Sequence, residues 1–420
     1  MTRFGIADAE IARLVSAVRS DAPPDQHAND QAFARAAWSL LAEPGDRAAG
    51  MLITSLGADE ALESILRTES PDSLARRIDP AGAADRTRLT KELGDGCSRW
   101  RPRLRSGDVV QSFVAAAATR TRLLLPDDAH WPDGVDDLGV HAPIALWMRG
   151  VDQAVQGLAR SIALVGARAA SLYGEQIATD TASGLADRGL TIVSGAAYGI
   201  DGMAHRSALA SDGLTVAFLA GGVDRFYPAG HDDLLSRIAT VGAVISELPC
   251  GSQPTKWRFL QRNWLIAASS QATVVLEAGW RSGSLNTAGH AAALGRPLGA
   301  VPGPITSVTS AGCHRLIRDY DAVCVTSVDE MLELLPDADP TASGTVAPGI
   351  PAAGAAGGAG VEPTSDELRV LDALSSRSSR SVDEIARRSG LAVAVVVGVL
   401  GTLDLDERAL PRGSGWMRGR

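Results

Sequence analysis

The residues best suited to chemistry stand in glycine- and serine-rich loops that follow short apolar segments. Such loops expose backbone N–H groups without bulky side chains, and where they open a helix they favour an anion, above all a phosphate. Several such loops on one edge of a sheet predict a phosphate-bearing ligand more strongly than any single glycine turn. The residues concerned are Gly166, Arg168, Ser171, Ser194, Gly195, Gly221, Gly222, Glu277, Arg281, Ser282 and Gly283.

Residues 256–264, which read KWRFLQRNW, concentrate cations, aromatic rings and amides in a chain that is only 4% aromatic. Cations that pair with phosphates beside rings that stack on bases are typical of proteins that bind single-stranded nucleic acid. The candidate residues are Lys256, Phe259, Arg262 and Asn263. The alternative is a structural helix that buries its aromatic rings and extends its cations to solvent.

The usual signatures of cofactor and metal enzymes are missing from the sequence. The first glycine loop reads GARAAS where a dinucleotide fingerprint requires GxGxxG, and no Walker A segment occurs. The HExxH, GxSxG and Cys/His spacings are also absent. We therefore assign no cofactor, no metal ligand and no catalytic residue. One enzymatic alternative stays open, in which Glu277 acts as an acid or base and Arg281 clamps the phosphate of a nucleotide.

The elements that must position these residues follow from the hydrophobic pattern. Between residues 160 and 335, seven apolar segments alternate with amphipathic stretches of helical length, which predicts an α/β fold with a doubly wound, Rossmann-like parallel sheet. Ligands of such sheets bind at the carboxyl ends of the strands, where the glycine loops stand. The segments are SIALVG, LTIVSG, TVAFLAGG, AVISEL, ATVVLEA, RPLGAVPG and AVCVTS.

The rest of the chain predicts two smaller domains and a linker. Three- and four-residue apolar spacing indicates a helical N-terminal domain over residues 1–125. Residues 126–335 form the extended Rossmann-like domain, including a connector over 130–150. An Ala/Gly/Pro-rich flexible linker covers 336–360, and residues 361–420 resemble a winged helix. Its third helix, AVAVVVGVLGTL, carries no Arg, Lys, Asn or Gln, which argues against a sequence-specific DNA regulator.

Composition limits the class of protein further. The chain has 420 residues and a net charge of −9, so any nucleic-acid site must be a local basic cluster. No apolar run reaches the roughly 18 residues needed to span a bilayer, and the N-terminus lacks the apolar region of a secretory signal. Four scattered cysteines without a CxxC pair indicate neither disulfides nor a zinc ribbon. We expect a cytoplasmic protein without a membrane partner.

Taken in order along the chain, these motifs resemble the DprA (Smf) family of DNA-processing proteins. The resemblance covers about residues 130–325 and rests on WPDGVDDLGVHAPIALWMRG, ALVGARAASLYG, IVSGAAYGIDGMAH, GGVDRFYP, ISELP, RFLQRNWLIAASS, VVLEAGWRSGSLNTA and AVPGPITSVTSAGCHRLI. The helical N-terminus, SAM-like by this resemblance, and the winged-helix-like C-terminus also fit the three-part layout of the family. It implies a protein, not an enzyme, that binds single-stranded DNA through an extended Rossmann domain, forms a homodimer through that domain, and assists transfer of the strand to RecA in homologous recombination or natural transformation.

The resemblance also implies roles for particular residues. Arg168 corresponds to a phosphate contact, Lys256 to the basic residue that follows SELP, and Phe259 to its neighbouring aromatic ring. Three features depart from the family pattern. Trp264 replaces the second arginine of an RNR motif, His314 stands where many relatives have asparagine, and RDYDA replaces the usual glycine-alanine after LI. The last two lie near the expected dimer and RecA contacts, so those contacts follow less directly than the DNA site.

Overall fold

The computed structural model describes residues 2–19, 25–82, 85–336, 364–413 and 415–419. Apart from its first residue, the predicted linker 336–360 lies outside these ranges. The described residues form an N-terminal helical part, a large central sheet covered by helices, and a small C-terminal part.

The N-terminal part is a short hairpin followed by seven helices. Asp46, Ser70 and Asp85 accept hydrogen bonds from the first-turn N–H groups of three of these helices, and such caps fix where each helix starts. The elements are β1 (Thr2–Arg3), β2 (Ile6–Ala7), α1 (Asp8–Ser16), α2 (Gln26–Leu41), α3 (Arg47–Leu56), α4 (Ala58–Leu66), α5 (Pro71–Ile78), α6 (Arg86–Trp100) and α7 (Ser106–Ala118).

The central part alternates strands and helices, as the apolar pattern predicts. Its elements are β3 (Arg122–Leu124), β4 (Leu146–Gly150), α8 (Asp152–Gln156), β5 (Ser161–Gly166), α9 (Leu172–Ala186), β6 (Thr191–Ser194), α10 (Ile200–Ala210), β7 (Thr215–Phe218), α11 (Asp232–Val241), β8 (Ala243–Ser246), α12 (Lys256–Ala268), β9 (Ala272–Glu277), α13 (Ser284–Ala293), β10 (Leu298–Ala300), α14 (Ala311–Asp319), β11 (Val323–Cys324) and α15 (Val328–Leu332).

These strands form one nine-stranded sheet in the order β11-β10-β9-β5-β6-β7-β8-β4-β3. The predicted Rossmann-like sheet is confirmed, and all seven predicted segments are its parallel strands β5 to β11. The sheet is mixed rather than wholly parallel, because β4 runs antiparallel to β8 and β3 antiparallel to β4. Strand β4 lies in residues 130–150, where the sequence predicts only a connector.

The order of the strands creates a switch point beside β5. From β5 the chain proceeds through β6, β7 and β8 in one direction, then returns to the other side of β5 for β9, β10 and β11. Crevices at the carboxyl ends of the strands beside such a reversal are where doubly wound folds bind ligands. Gly166 and Glu277 are paired in register at the ends of β5 and β9, so both lie at this crevice.

The helical part and the sheet share one apolar core. Trp38 and Trp100 pack edge to face at 4.9 Å between ring centroids, and Phe113 of α7 packs against Trp147 of β4 at 5.9 Å. All four rings are buried. Full burial of such large side chains supplies several kcal/mol of the folding free energy, so the helical part is fixed to the edge of the sheet rather than tethered to it.

The C-terminal part consists of α16 (Ser365–Ala373), α17 (Val382–Ser389), α18 (Val393–Leu405) and the hairpin strands β12 (Ala409–Arg412) and β13 (Gly415–Arg418). The three helices enclose their own core, to which Val370, Ile385, Leu400 and Leu403 contribute. The predicted winged-helix arrangement is confirmed. Within the described ranges no single helix is long and apolar enough to cross a membrane, and only α17 and α18 together, bent by 104°, meet that test.

Candidate nucleic-acid interface

Glu277 holds together two loops at the switch point. One carboxylate oxygen accepts a hydrogen bond from the Ser171 N–H (2.9 Å) and the other from the Ser171 hydroxyl (2.6 Å), while the Glu277 carbonyl accepts from the Ala167 N–H (2.7 Å). The side chain is only 2% exposed. A Cβ atom on Gly174 would lie 2.2 Å from this carboxylate, so glycine is needed there. Glu277 therefore shapes the loop that carries Arg168.

Arg262 is buried beneath the neighbouring loops. Its guanidinium donates to the carbonyl oxygens of Gly195 and Phe218, both at 2.6 Å, and thereby joins α12 to the ends of β6 and β7. Burial lowers the pKa of Arg262 to about 10, and buried Asp201 opposes the shift. A Cβ atom on Gly195 would meet the guanidinium at 2.1 Å, so the close approach requires glycine. Arg262 therefore stays charged at neutral pH, and its two hydrogen bonds hold the loops that follow β6 and β7 in place.

A pocket of about 230 Å³ opens above Arg262, between the ends of β6 and β7 and the first turn of α12. The rings of Tyr227 and Phe259 lie 5.6 Å apart at its wall. The Arg168 guanidinium lies over the Phe259 ring, 5.0 Å from its centroid, so two loops and a helix meet here. The pocket is lined by Gly195, Leu219, Ala220, Gly221, Gly222, Arg225, Tyr227, Pro254 and Phe259.

Three exposed cations stand at or near this pocket: Arg225 lines it, Arg168 lies over the Phe259 ring, and Lys256 begins α12 three residues before Phe259. Within the part of the chain that the structure describes, none of the three has an ion-pair partner, whereas Arg258 of the same helix pairs with Glu43 at 2.8 Å. Arg225 was not among the predicted site residues. Its position three residues after Gly222, in the glycine loop that follows β7, is the signal that identifies it.

The side chains of residues 256–264 lie in two environments, one beside the pocket and one against the winged helix. Lys256 and Phe259, three residues apart and so on one side of α12, lie beside the pocket. Trp257 instead packs under Arg369 of the winged helix, 5.3 Å from guanidinium to ring centroid. The Lys256 N–H donates to the Asp372 carboxylate at 2.7 Å, so the winged helix contacts the first turn of α12. One face of the segment is therefore structural, and the nucleic-acid role predicted for the other face stays a prediction.

The remaining predicted residues lie nearby but do not line the pocket. Asn263 is buried and donates to the Asn286 side chain at 3.1 Å, which ties α12 to α13. The Ser194 hydroxyl donates to the Leu164 carbonyl at 2.7 Å inside the sheet. Arg281, Ser282 and Gly283 belong to the loop between β9 and α13, on the far side of the switch point. The described residues contain no cluster of side chains suited to a metal ion.

Comparison with known proteins identifies the family. Residues 122–336 match the family described as DNA recombination-mediator protein A, and residues 354–413 match the DprA winged helix domain. A putative DNA processing protein DprA of Mycobacterium tuberculosis is 42% identical over 358 residues, which cover 82% of this chain and 89% of the relative.

Two further relatives support the assignment. Protein Smf of Escherichia coli is 41% identical over 194 residues, 46% of this chain and 51% of that protein. The X-ray structure of DprA from Streptococcus pneumoniae aligns with a TM-score of 0.55 at 28% identity and covers 73% of this chain and 98% of that chain. The chain therefore belongs to the DNA recombination-mediator protein A (DprA/Smf) family of DNA-processing proteins.

Proposed function

We propose that this protein binds single-stranded DNA without strong sequence preference, in the pocket beside Phe259, and assists transfer of the strand to RecA in homologous recombination or natural transformation. The observation that carries the proposal is the set of three exposed cations, Arg168, Arg225 and Lys256, around a pocket with two aromatic rings. In a chain of net charge −9, such a local basic cluster beside stacking surfaces fits a polyanion with unpaired bases.

In this proposal, the cations bind the phosphates of the strand and the aromatic rings stack on its bases. Arg168, Arg225 and Lys256 neutralise successive phosphates, and backbone N–H groups of the 221–224 loop add neutral donors. A base stacks on Phe259 or Tyr227, which contributes roughly 1–3 kcal/mol per base. The pocket lining contains no side-chain amide or carboxylate to recognise base edges, which favours binding without sequence preference. Stacking needs an unpaired base, so a duplex should bind less well.

Buried Arg262 enters this proposal as a positioning residue. Only 5% of its surface is exposed, and both of its strong hydrogen bonds go to loop carbonyls, so it is not placed to bind a phosphate. Asn263 acts in the same indirect way through α13. Gly166 and Ser171 are assigned to the shape of the loop that presents Arg168, and Gly221 and Gly222 to the close approach of the backbone.

The test is a fluorescence-anisotropy titration of labelled oligo-dT, with a matched duplex, on the wild type and on the Arg168→Ala/Lys256→Ala variant. We expect salt-sensitive binding of the single strand that the double substitution largely abolishes. Each neutralised phosphate on a single strand contributes about −0.7 to the slope of log affinity against log salt, so three or four contacts give a slope of roughly −2 to −3.

The matched control is Lys91→Ala/Arg206→Ala, which removes two exposed cations that lie outside the pocket lining, including the only other lysine in the chain. This control should bind like the wild type. A slope near zero, no preference for the single strand, or equal losses in both double variants would contradict the proposed site.

The proposals about partners other than DNA rest on family membership. We propose a cytoplasmic homodimer, formed through the Rossmann-like domain, that contacts RecA. The edge strand β11 supports a contact there, because Val323 is about half exposed and an exposed sheet edge presents unpaired backbone groups. Sedimentation of the wild type and Val323→Asp tests the dimer, and RecA filament formation on the single strand with and without this protein tests the transfer.

The enzymatic alternative assigned proton transfer to Glu277 and phosphate binding to Arg281. Both Glu277 carboxylate oxygens are engaged by Ser171, and the side chain is buried, so the contacts favour its loop-shaping role. No observation in the described residues specifically favours turnover of a nucleotide. We therefore propose a binding protein rather than an enzyme.

A further inference from the structure

Five large apolar side chains are exposed together on the carboxyl side of β5, β9 and β10. They belong to three loops or helix starts that follow these neighbouring strands. We call this set the edge surface; its members are Leu172 (86% exposed), Tyr173 (40%), Trp280 (55%), Ile305 (92%) and Val308 (82%). A cluster of exposed large apolar residues is unusual on a soluble protein and commonly marks an interaction site.

The edge surface is continuous with the proposed DNA pocket. The Tyr173 hydroxyl donates to the Pro302 carbonyl at 2.7 Å, which joins the start of α9 to the loop after β10. An atom built on Gly279 would lie 3.4 Å from the Val308 carbonyl, so the loop that carries Trp280 touches the same segment. Leu172 directly follows the loop whose Arg168 packs over Phe259 at the pocket.

The charge of the edge surface suits a polyanion. Residues 166–173, 279–284 and 301–310 contain no aspartate or glutamate, although the chain carries 49 acidic residues. Arg168 and Arg281, both exposed, are the ionised side chains that these three segments contribute. An acid-free edge on a protein of net charge −9 attracts a negatively charged chain locally while the remaining surface repels it.

Within this surface, the Trp280 ring packs on a neighbouring side chain and is also exposed, which suits it to stacking on a base. The Arg315 guanidinium lies 5.0 Å from the centre of the Trp280 ring and 5.6 Å from that of Tyr320. This packing supports the indole from one side, while more than half of the residue remains exposed. A supported, exposed indole loses little conformational freedom when a base stacks on it.

We propose that the bound single strand extends from the Phe259 pocket across the switch point to Trp280, where a further base stacks on the indole and Arg281 meets the adjoining phosphate. This inference rests on the proposed function. Two to three strand spacings separate the ends of β6 and β7 from β9, roughly 10–15 Å across the sheet. A very short oligonucleotide therefore fills the pocket without reaching Trp280, whereas a longer one engages both.

The test compares Trp280→Ala with the wild type on oligo-dT of about 2 and of about 15 nucleotides. Loss of one stacked base should weaken binding of the longer strand by roughly 5- to 150-fold and leave binding of the shorter strand unchanged. Trp280→Phe should retain most of the affinity. The longer strand should also quench tryptophan emission in the wild type, and Trp280→Phe should lose that quenching.

Leu405→Ala is the matched control, because it removes an exposed apolar side chain of α18, outside the edge surface. It should bind both strands like the wild type. Equal affinity of Trp280→Ala and the wild type for the longer strand overturns the inference. So does a shared loss in Trp280→Ala and Ile305→Ala accompanied by weaker self-association, which would assign the surface to a second copy of the chain.

Failure of this inference is distinguishable from failure of the proposed function. The Arg168→Ala/Lys256→Ala variant should lose binding of the short strand, which never reaches Trp280. One outcome is that the short strand binds through those cations while Trp280→Ala and the wild type have equal affinity for the longer strand. In that case the proposed pocket is correct and the extension to Trp280 is wrong. If neither strand binds in preference to a duplex, the proposed function itself is wrong.

Discussion

The arginines around the pocket differ in task because they differ in burial. Arg168 and Arg225 are exposed beside the aromatic rings, whereas Arg262 lies beneath them with its guanidinium on two carbonyls. The sequence identifies the cations of 256–264 but not this difference, because burial of Arg262 depends on the ends of β6 and β7, which are distant in sequence. Residue type therefore identifies which cations belong to the candidate site, but not which of them are exposed to a ligand and which are buried.

Substitution of Arg262 should affect stability, and substitution of Arg168 should affect DNA binding alone. Arg262→Ala leaves the Gly195 and Phe218 carbonyls without their charged donor, and each such hydrogen bond contributes about 1.5–3 kcal/mol. We expect the free energy of unfolding to fall by about 3 kcal/mol or more. Arg168→Ala, an exposed change, should stay within about 0.5 kcal/mol. Denaturant unfolding of both variants measures the difference, and equal stabilities would contradict the assigned positioning role.

Glu247 predicts a pH dependence of stability. With Glu43 it lines an open pocket between the helical part and the sheet. Burial, and secondarily the Glu43 charge, raise the pKa of Glu247 from the ordinary 4.5 to about 8. Between pH 4.5 and 8 the folded chain thus binds a proton that the unfolded chain has released, so stability falls as pH rises, by at most about 1.4 kcal/mol per pH unit.

Glu247→Gln should remove this contribution. Unfolding free energies measured at pH 5 and pH 8 should differ less in the variant than in the wild type, and the variant should gain most at pH 8. Glu333→Gln, a change at an exposed carboxylate of the same domain, is the control and should preserve the wild-type difference. An unchanged pH dependence in Glu247→Gln would show that another group is responsible.

At the scale of elements, hydrophobic pattern predicts the seven parallel strands because buried strands of this sheet are continuous apolar segments. Strands β3 and β4 escape prediction for physical reasons. Three residues make up β3, and β4 ends a segment that prolines and glycines interrupt, so neither produces a pattern of its own. They extend the sheet beyond β8, where β4 pairs with β8 and β3 pairs with β4, and local sequence does not record these tertiary contacts.

The loops of this site depend on glycine only where another element approaches closely. Gly195→Ala should disrupt both stability and DNA binding, because its Cβ atom would lie 2.1 Å from the Arg262 guanidinium and separate α12 from β6. Gly283→Ala is the matched control: its Cβ atom meets nothing within 4 Å, and its φ of −62° suits alanine. Thermal unfolding and anisotropy on both variants should show a large effect for the first and little for the second, and comparable effects would contradict the packing argument.

At the scale of the whole molecule, buried Glu43 joins the three parts. Its carboxylate accepts from Arg258 of α12 at 2.8 Å and from Arg103 of the helical part, and the Arg103 Nε donates to the Arg387 carbonyl of the winged helix at 2.9 Å. Burial opposes ionisation, but the two guanidinium groups together hold the pKa of Glu43 well below its ordinary value. No local pattern predicts these contacts, since the partners are separated by as many as 284 residues.

This arrangement places a carboxylate of the winged helix beside the proposed DNA site. Asp372 accepts the Lys256 N–H, so its charge lies within one side-chain length of the position where Lys256 would hold a phosphate. Asp372→Asn keeps an acceptor for that N–H and removes the charge. Two unit charges about 8 Å apart in water interact by about 0.5 kcal/mol, so we expect the affinity for single-stranded DNA to rise two- to fourfold at low salt.

Salt and a second aspartate separate this electrostatic effect from a change in docking. The gain should vanish at high ionic strength, because a Debye length of about 8 Å at 0.15 M shortens further as salt rises. Asp404→Asn makes the same charge change on the exposed end of α18, without a contact to α12, and should bind like the wild type. If the gain in DNA affinity persists at high salt, the substitution has released the winged helix from α12. If there is no gain at low salt, Asp372 lies too far from the bound phosphate to affect binding.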